Sequence, residues 1–496
     1  MRYDAFIMKP PTPTKQTANR SATDVVVLSL CSRLLTFVGR WMMLAKFGAT
    51  DVFVNAFTYA LNMPNTLFNV VGTALSTVMI PIYNSLLADE KRDEAKLFID
   101  HVISIALVFL FALTLLGVAG APLIVRVVAG ADFEEVAFLI FALRVLMPVM
   151  VFFGFGAIFA GLLQSHGRFR LPALVSAPGG LLVVGYIALF ADRWGVTGLL
   201  VVTATGVALQ PLLLLPAVMK LGYRFRFAFN LRDANVRAAG KLCVPVLISA
   251  VSYQAHFLFA QSVALRQGYA GVVDFALQLV QVFIMIMVLA VVAVYFPKLS
   301  ALWAKQARAE YNQTLRNAFV YTIFLVLPAA CGLFLLREEI MTLLRIEAGT
   351  ELVGLYALGV VAVGMKEIAD RGFYATKDSR TPAAVGVLMM VVNIGAVLVL
   401  VPHLGVHGLP VAYGLAALVG VSTLLVRLQM KTAFLTKAFV REVAKIVLAT
   451  ALMAAAVWGV RSVTNHVVLP VLAGVVVYAA VAWCVKSQPI KESIHR

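Results

Sequence analysis

Residues 168–199 read RFRLPALVSAPGGLLVVGYIALFADRWGVTGL, and residues 378–409 read DSRTPAAVGVLMMVVNIGAVLVLVPHLGVHGL. The two stretches align without a gap. Arg170/Arg380, Pro172/Pro382, Gly195/Gly405, Val196/Val406 and Gly198/Gly408 all share one offset of 210 residues. A second match pairs MIPIYNSLLA at 79–88 with YFPKLSALWA at 295–304, bringing Pro81 opposite Pro297. Internal similarity at a long offset is the mark of a duplicated architecture. The chain therefore reads as two halves built on one plan.

The solvent of that plan follows from composition. The chain is 61% hydrophobic and only 13% charged, against about 25% charged for an ordinary soluble domain. Folded in water it would expose large apolar patches, so its solvent must be lipid. A spanning helix needs about 20 mostly apolar residues. By that rule fourteen stretches qualify: 24–46, 51–84, 97–118, 133–164, 172–190, 196–220, 242–265, 270–297, 313–336, 351–376, 382–402, 408–430, 441–462 and 467–485. Several exceed the required length and are expected to tilt, break or extend beyond the bilayer.

The repeats equate the fifth span with the eleventh and the second with the eighth. Each half thus holds six spans, and an even number leaves both halves facing the same way. The expected relation is an axis along the membrane normal, with a site near the midplane. The fold class expected is an all-α polytopic membrane protein. It has about fourteen transmembrane helices in two pseudo-symmetric six-helix lobes around a central cavity, plus two C-terminal helices. The segments are a cytoplasmic tail (1–22), an N-lobe (23–222), a C-lobe (223–435) and helices 13–14 with a short cytoplasmic tail (436–496).

The formal charge of +17 belongs to topology and not to nucleic-acid binding, because the basic residues lie in short loops instead of on one surface. One set of loops carries Lys91, Arg92 and Lys96; Arg168 and Arg170; Arg224, Arg226, Arg232 and Arg237; Lys305 and Arg308; Lys377 and Arg380; Arg427, Lys431 and Lys437. The opposite loops hold little more than Lys46, Arg126, Arg193, Arg266, Arg337, Arg345 and Arg461. The richer set is cytoplasmic, as are both termini. The N-terminal MRYDAFIMKPPTPTKQTANRS lacks the apolar core of a cleaved signal peptide. Cys31, Cys243, Cys331 and Cys484 sit in apolar stretches without metal-type spacing, so no metal site is expected.

Polar residues inside the spans then mark the site. Arg33 and Arg40 are seven residues apart and share a helical face with Ser29 and Thr36. An arginine at mid-depth costs about 2.5–3.5 kcal/mol on insertion scales, so this stripe should face water. Snorkelling to the interfaces is the plainer reading, more credible for Arg40, which lies close to Lys46. The second span carries Asp51, Asn55, Tyr59 and Asn62, then Pro64, Asn65 and Asn69, which suggests a break lined by polar groups. In the eighth span Asp274, Gln278 and Gln281 share a face; in the seventh, Ser249, Ser252, Tyr253 and His256 do. Lys366/Asp370 and Glu367/Arg371 are i,i+4 pairs. Glu367, Asp370 and Asn393 are candidates for ion coupling, with Asp370 and Glu367 equally readable as self-neutralised rim charge. A cavity carrying deep arginine suits an anionic or polyhydroxylated solute, and guanidinium forks favour phosphate. A lipid-linked sugar pyrophosphate fits, since its tail stays in the bilayer.

SRLLTF at 32–37, FGATDVF at 47–53, PNTLF at 64–68, ALSTVMIP at 74–81, GRFRLPA at 167–173 and GFYATKDSRTPA at 372–383 together resemble the lipid II flippase family, MurJ or MviN. That family lies within the superfamily of multidrug extruders and polysaccharide flippases. The resemblance implies two lobes around a cationic cavity, and alternating-access transport of a lipid-linked cell-wall precursor to the outer leaflet. It also implies a lipid-tail groove at the last two helices. Arg33 matches the family's first cavity arginine and Asp51 its acidic residue opening the second span. The family's second arginine of the first span falls at Gly39; an arginine often found after the PN motif is replaced around Phe68; and Gln278 and Gln281 stand where an arginine and a glutamate are expected.

Lipid II is the substrate expected. The alternatives are a lipid-linked polysaccharide repeat, or a drug extruded by a cation-coupled member of the superfamily. No catalytic residues and no cofactor are expected; a coupling cation (Na+ or H+) or the membrane potential is the candidate energy source. Expected partners are the lipid-linked glycan precursor and membrane lipids, with other cell-wall synthesis proteins as candidates and nucleic acid excluded. The acidic residues of the outer side lie in loops too short for a glycosyltransferase domain, and no P-loop is present.

Overall fold

The computed structural model describes residues 15–89, 91–130, 135–221, 225–230, 232–432, 434–463, 467–485 and 487–489. All regular structure among them is helical, as lipid requires: with no water to pair the backbone, each span must satisfy its own N–H and C=O groups. Ten helical stretches among the described residues are long and apolar enough to cross a membrane, and two further apolar helices are shorter. Each of the fourteen stretches read from the sequence is mainly helical over its described residues. Residues 1–14 of the expected tail and 490–496 at the other end lie outside the described residues, and α1 begins at Lys15.

The chain divides into two compact units, 1–271 and 272–496. The first holds α1 (Lys15–Phe47), α2 (Val52–Ala88), α3 (Arg92–Ala129), α4 (Val136–Leu146), α5 (Val149–Ser165), α6 (Arg170–Leu174), α7 (Ala177–Leu189), α8 (Ala191–Met219) and α9 (Ala234–Arg266). Here α1 packs on α7, α7 and α5 on α8, and α9 along α2. This last contact carries the division by packing one helix past the repeat-derived boundary at 222/223. Phe98, Ile99, Ile103, Leu162, Leu163 and Leu214 belong to one buried cluster. At the far end, Arg266 of α9 donates through Nε to the Val128 carbonyl of α3 at 2.7 Å.

The second unit takes α10 (Ala270–Ala304) from Val272 on, then α11 (Arg308–Leu335), α12 (Arg337–Leu343), α13 (Thr350–Ala375), α14 (Arg380–Leu404), α15 (Gly408–Thr432), α16 (Lys437–Arg461) and α17 (Val468–Cys484). Its tightest crossing is α13 on α15, where a Cβ on Gly359 would come within 2.9 Å of the Gly414 Cα. Tyr311, Leu315, Phe319, Phe373 and Phe434 fill the core. The last helices are fastened to α11 and α12: Arg461 pairs with Glu338 and Glu339 and donates to the Leu335 carbonyl, and the Tyr478 hydroxyl donates to the Phe324 carbonyl at 2.7 Å.

The duplication is visible in the backbone of each half. Left-handed residues fall at comparable turns: Gly48 and Gly268 after the first helix of each half, Gly130 after α3 and Arg345 after α12, which follows the third long helix of the second half, and Gly167 and Lys377 before the fifth span. Gly195 and Gly405 have almost the same torsions, φ 56°, ψ −152° and φ 58°, ψ −143°. Only glycine adopts that region without strain, which is why the pair persists at the 210-residue offset. Pro148 divides the stretch 133–164 into α4 and α5, whereas α2 runs unbroken through Pro64, where a break was expected.

Candidate functional site

On α1 the residues sort by face. Ser32, Gly39 and Met43 are buried, and the Ser32 Oγ lies 3.0 Å from both its own Leu28 carbonyl and the Ala173 carbonyl. Gly39 is where α1 meets α7: a Cβ there would stand 3.1 Å from Val183 Cγ1. The position at which the resemblance places an arginine therefore looks into packed protein in this chain. One residue on, Arg40 is turned about 100° and its Nη2 reaches Asn62 Oδ1 at 3.5 Å, the outer limit of a hydrogen bond. Asn62 is buried.

Arg33 lies on the Arg40 face. It is exposed and makes no hydrogen bond or ion pair among the described residues. Its depth can be measured from Lys46, which pairs with Asp192 at 2.7 Å where α1 ends and α8 begins. Thirteen residues of helix put Arg33 about 20 Å from that aqueous edge, well inside a hydrocarbon layer about 30 Å thick. An unpaired guanidinium at that depth must be hydrated. The same rise puts Arg40 about 9 Å from the edge, within reach of the interface.

Other polar residues of the second span serve the fold. Asp51 caps α2, its Oδ1 accepting from Phe53 and Val54 N–H at 2.9 and 3.0 Å. Asn55 is fully buried, and all its hydrogen-bonding is used: Nδ2 donates to the Asp51 and Gly268 carbonyls and Oδ1 accepts from the Gly271 N–H, each at 2.8 Å. Expected to line the cavity, the Asn55 side chain clamps α2 to the turn after α9 in this structure. Asn65 donates to its own Leu61 carbonyl at 2.8 Å, beside the carbonyl that Pro64 deprives of a partner. The Tyr59 hydroxyl meets Ser262 Oγ of α9 at 3.3 Å. The side chains of Ser249 and Tyr253 lie outside the described residues.

In the second unit Asp274 is buried and accepts from Gln278 Nε2 at 2.8 Å, so Gln278 supplies a neutral donor where the resemblance puts an arginine. Gln281 is half-buried one turn on. On α13, half-buried Lys366 pairs with buried Asp370 at 2.6 Å, and Arg371 pairs with Glu367 at 3.4 Å. Asp370 Oδ1 and, on α14, the buried Asn393 Oδ1 have no hydrogen-bond partner among the described residues. No group of metal-ligating side chains occurs among the described residues.

One cluster had no counterpart in the reading of the sequence. At the turn between α13 and α14, Asp378 accepts from the Thr381 N–H at 3.1 Å and hydroxyl at 3.0 Å, while Lys431 of α15 reaches Asp378 at 3.4 Å and donates to the Thr376 hydroxyl at 2.8 Å. Partial burial would raise the Asp378 carboxyl, but the Thr381 bonds and the Lys431 ammonium outweigh it and hold it below the usual range. Beside this knot opens a pocket of about 790 Å³ lined by Thr381, Thr423, Arg427 and Lys431. Its ends are 50 residues apart in the chain, out of reach of any local motif.

A family model described as "Lipid II flippase MurJ" matches residues 43–477. The lipid II flippase MurJ of Burkholderia cenocepacia is 24% identical over 429 residues, covering 80% of this chain and 81% of that protein. A solved structure of lipid II flippase MurJ in an inward closed conformation superposes with a TM-score of 0.80 at 20% identity, covering 95% of this chain and 99% of that one. An inward-facing multidrug-resistance transporter of the MATE family follows at TM-score 0.62 and 16% identity, over 83% of this chain and 98% of that one.

Proposed function

The chain belongs to the lipid II flippase MurJ family, and from that premise we propose that it carries lipid II from the inner to the outer leaflet of a bacterial cytoplasmic membrane by alternating access. It is a multi-pass membrane transporter and not an enzyme; no covalent bond is made or broken. Both termini and the arginine-rich loops lie on the cytoplasmic side in this reading, following the distribution of loop lysine and arginine. Lobes of six spans at 23–222 and 223–435 perform the movement, with the helices after 436 accommodating the lipid tail.

The observation that carries the reading is Arg33: exposed, unpaired among the described residues and about 20 Å from Lys46. A guanidinium fork in a partly dehydrated setting recognises a pyrophosphate through paired, charge-assisted hydrogen bonds. Arg40, steadied by Asn62, adds a second positive charge on the same face. The substrate's tail remains in lipid, so only the headgroup needs this hydrated path. Energy coupling is assigned to the Lys366–Asp370 pair, whose unpartnered Asp370 Oδ1 offers a place for a proton or Na+.

Replacing Arg33 by alanine tests the reading. The variant should accumulate normally yet fail to support growth of cells depleted of their own lipid II flippase, whereas full complementation refutes the role. Flipping assays with lipid II against a lipid-linked polysaccharide repeat separate the substrate from its nearest alternative.

A further inference from the structure

The segment joining α8 to α9 carries four basic residues (Lys220, Arg224, Arg226 and Arg232) and one acid, Asp233, with RFRFAFN at 224–230 in its middle, and Arg237 and Lys241 follow within the first turns of α9. It is fastened to α3. The Arg226 N–H donates to Asp100 Oδ1 at 3.4 Å and the Ala228 N–H to Ser104 Oγ at 2.9 Å. Asp100 and Ser104 are one helical turn apart, about 6 Å, and two residues of extended chain span about 6.6 Å. The match holds 226–228 extended along α3. In an extended chain alternate residues share a face, which puts Phe225, Phe227 and Phe229 together. All three are exposed, at 40%, 66% and 49%.

The depth of this face follows from α3. Its outward apolar belt runs from Val108 through Phe111 and Leu116 to Val127, with Leu97 apart from it. Nineteen steps of helix give about 29 Å, the thickness of the hydrocarbon layer. Ser104 lies four residues before Val108, about 6 Å beyond the belt, at the level of the headgroups. Three phenylalanines held at that level, amid exposed Lys220, Arg226, Arg232, Arg237 and Lys241, match an anionic bilayer surface: rings at the acyl boundary, cations among the phosphates.

We infer that residues 225–229 are an interfacial anchor, with Phe225, Phe227 and Phe229 seated in the cytoplasmic leaflet and the flanking basic residues on anionic headgroups. The choice of leaflet rests on the orientation proposed above; insertion itself does not. The anchor fixes the connection between the two halves to unit 1 and to the membrane at once.

The test places a nitroxide at Phe227→Cys in the full-length protein lacking its four native cysteines. The protein is reconstituted in phosphatidylcholine vesicles with or without phosphatidylglycerol, and collisions with oxygen and with a water-soluble nickel chelate are compared. Several-fold shielding from nickel together with oxygen access is expected, and it should deepen when phosphatidylglycerol is present. Arg226→Glu with Arg232→Glu should abolish that deepening. Nickel access like that of a free loop would overturn the anchor, as would a label immobilised and shielded from both reagents, the outcome for a face covered by protein. Labels at Phe225→Cys and Phe229→Cys repeat the test should the first variant fold poorly. The readout needs no transport, so a different substrate for the protein leaves it intact.

Discussion

Replacing Asn55 by alanine distinguishes a clamp from a binding group. The wild-type amide makes three hydrogen bonds of 2.8 Å from a fully buried position. Without it the buried Gly271 N–H loses its partner, at about 1–3 kcal/mol, and the bond to the Gly268 carbonyl goes as well, at about 0.5–1.5 kcal/mol. The Asp51 carbonyl still accepts from the Asn55 N–H, so its loss is small. The sum is a destabilisation of about 1.5–4.5 kcal/mol. Asn55→Asp should be at least as damaging: it keeps an acceptor for Gly271 but turns a carboxylate oxygen toward two carbonyls. Thermal unfolding in detergent, read beside flipping per folded molecule, is the assay. Both variants should unfold early while the folded fraction still transports. An Asn55→Ala protein with wild-type thermal stability and no transport would refute the clamp.

Two further outcomes follow from charges. Lys366→Ala strands the buried Asp370 carboxylate and should cost about 3–5 kcal/mol, whereas Lys366→Met with Asp370→Leu should unfold near the wild-type temperature; equal stability of the single variant and wild type would contradict the burial of Asp370. Asp378 has a lowered carboxyl pKa in the folded chain, so its contribution is complete above the ordinary carboxylate range and is lost only as pH falls through the lowered value. The stability gap between wild type and Asp378→Asn should therefore persist at mildly acidic pH and close below it; a gap that closes above the ordinary range would contradict this.

The scaffold was legible because lipid leaves few options. Apolar length alone located the helices, and the 210-residue offset was preserved where the backbone admits only glycine, at Gly195 and Gly405. The candidate site was legible in part. Seven-residue spacing put Arg33 and Arg40 on one face because helical periodicity is local. What Asn55 and Asp51 do was hidden, since their partners are backbone groups: the turn after α9 for one, the start of α2 for the other. Amides at helical spacing look alike whether they face water or a carbonyl. Gly39 shows the converse, a departure from the family pattern that becomes intelligible once Val183 is seen against it. Pro64 within an unbroken α2 and Pro148 between two helices carry the same local signal, so packing decides which one interrupts.

The central claim is that Arg33 is tolerated at depth because it faces water, and its neighbour Leu34 supplies the control. Both residues are exposed, lie at nearly the same depth and differ by about 100° around α1. Arg33→Cys and Leu34→Cys, each in a background without Cys31, Cys243, Cys331 and Cys484, should be treated in intact vesicles with a charged, membrane-impermeant thiol reagent. The cysteine at 33 should be modified rapidly and that at 34 hardly at all. Equal protection of the two, with modification only by a lipid-soluble reagent, would place Arg33 against acyl chains and contradict the account.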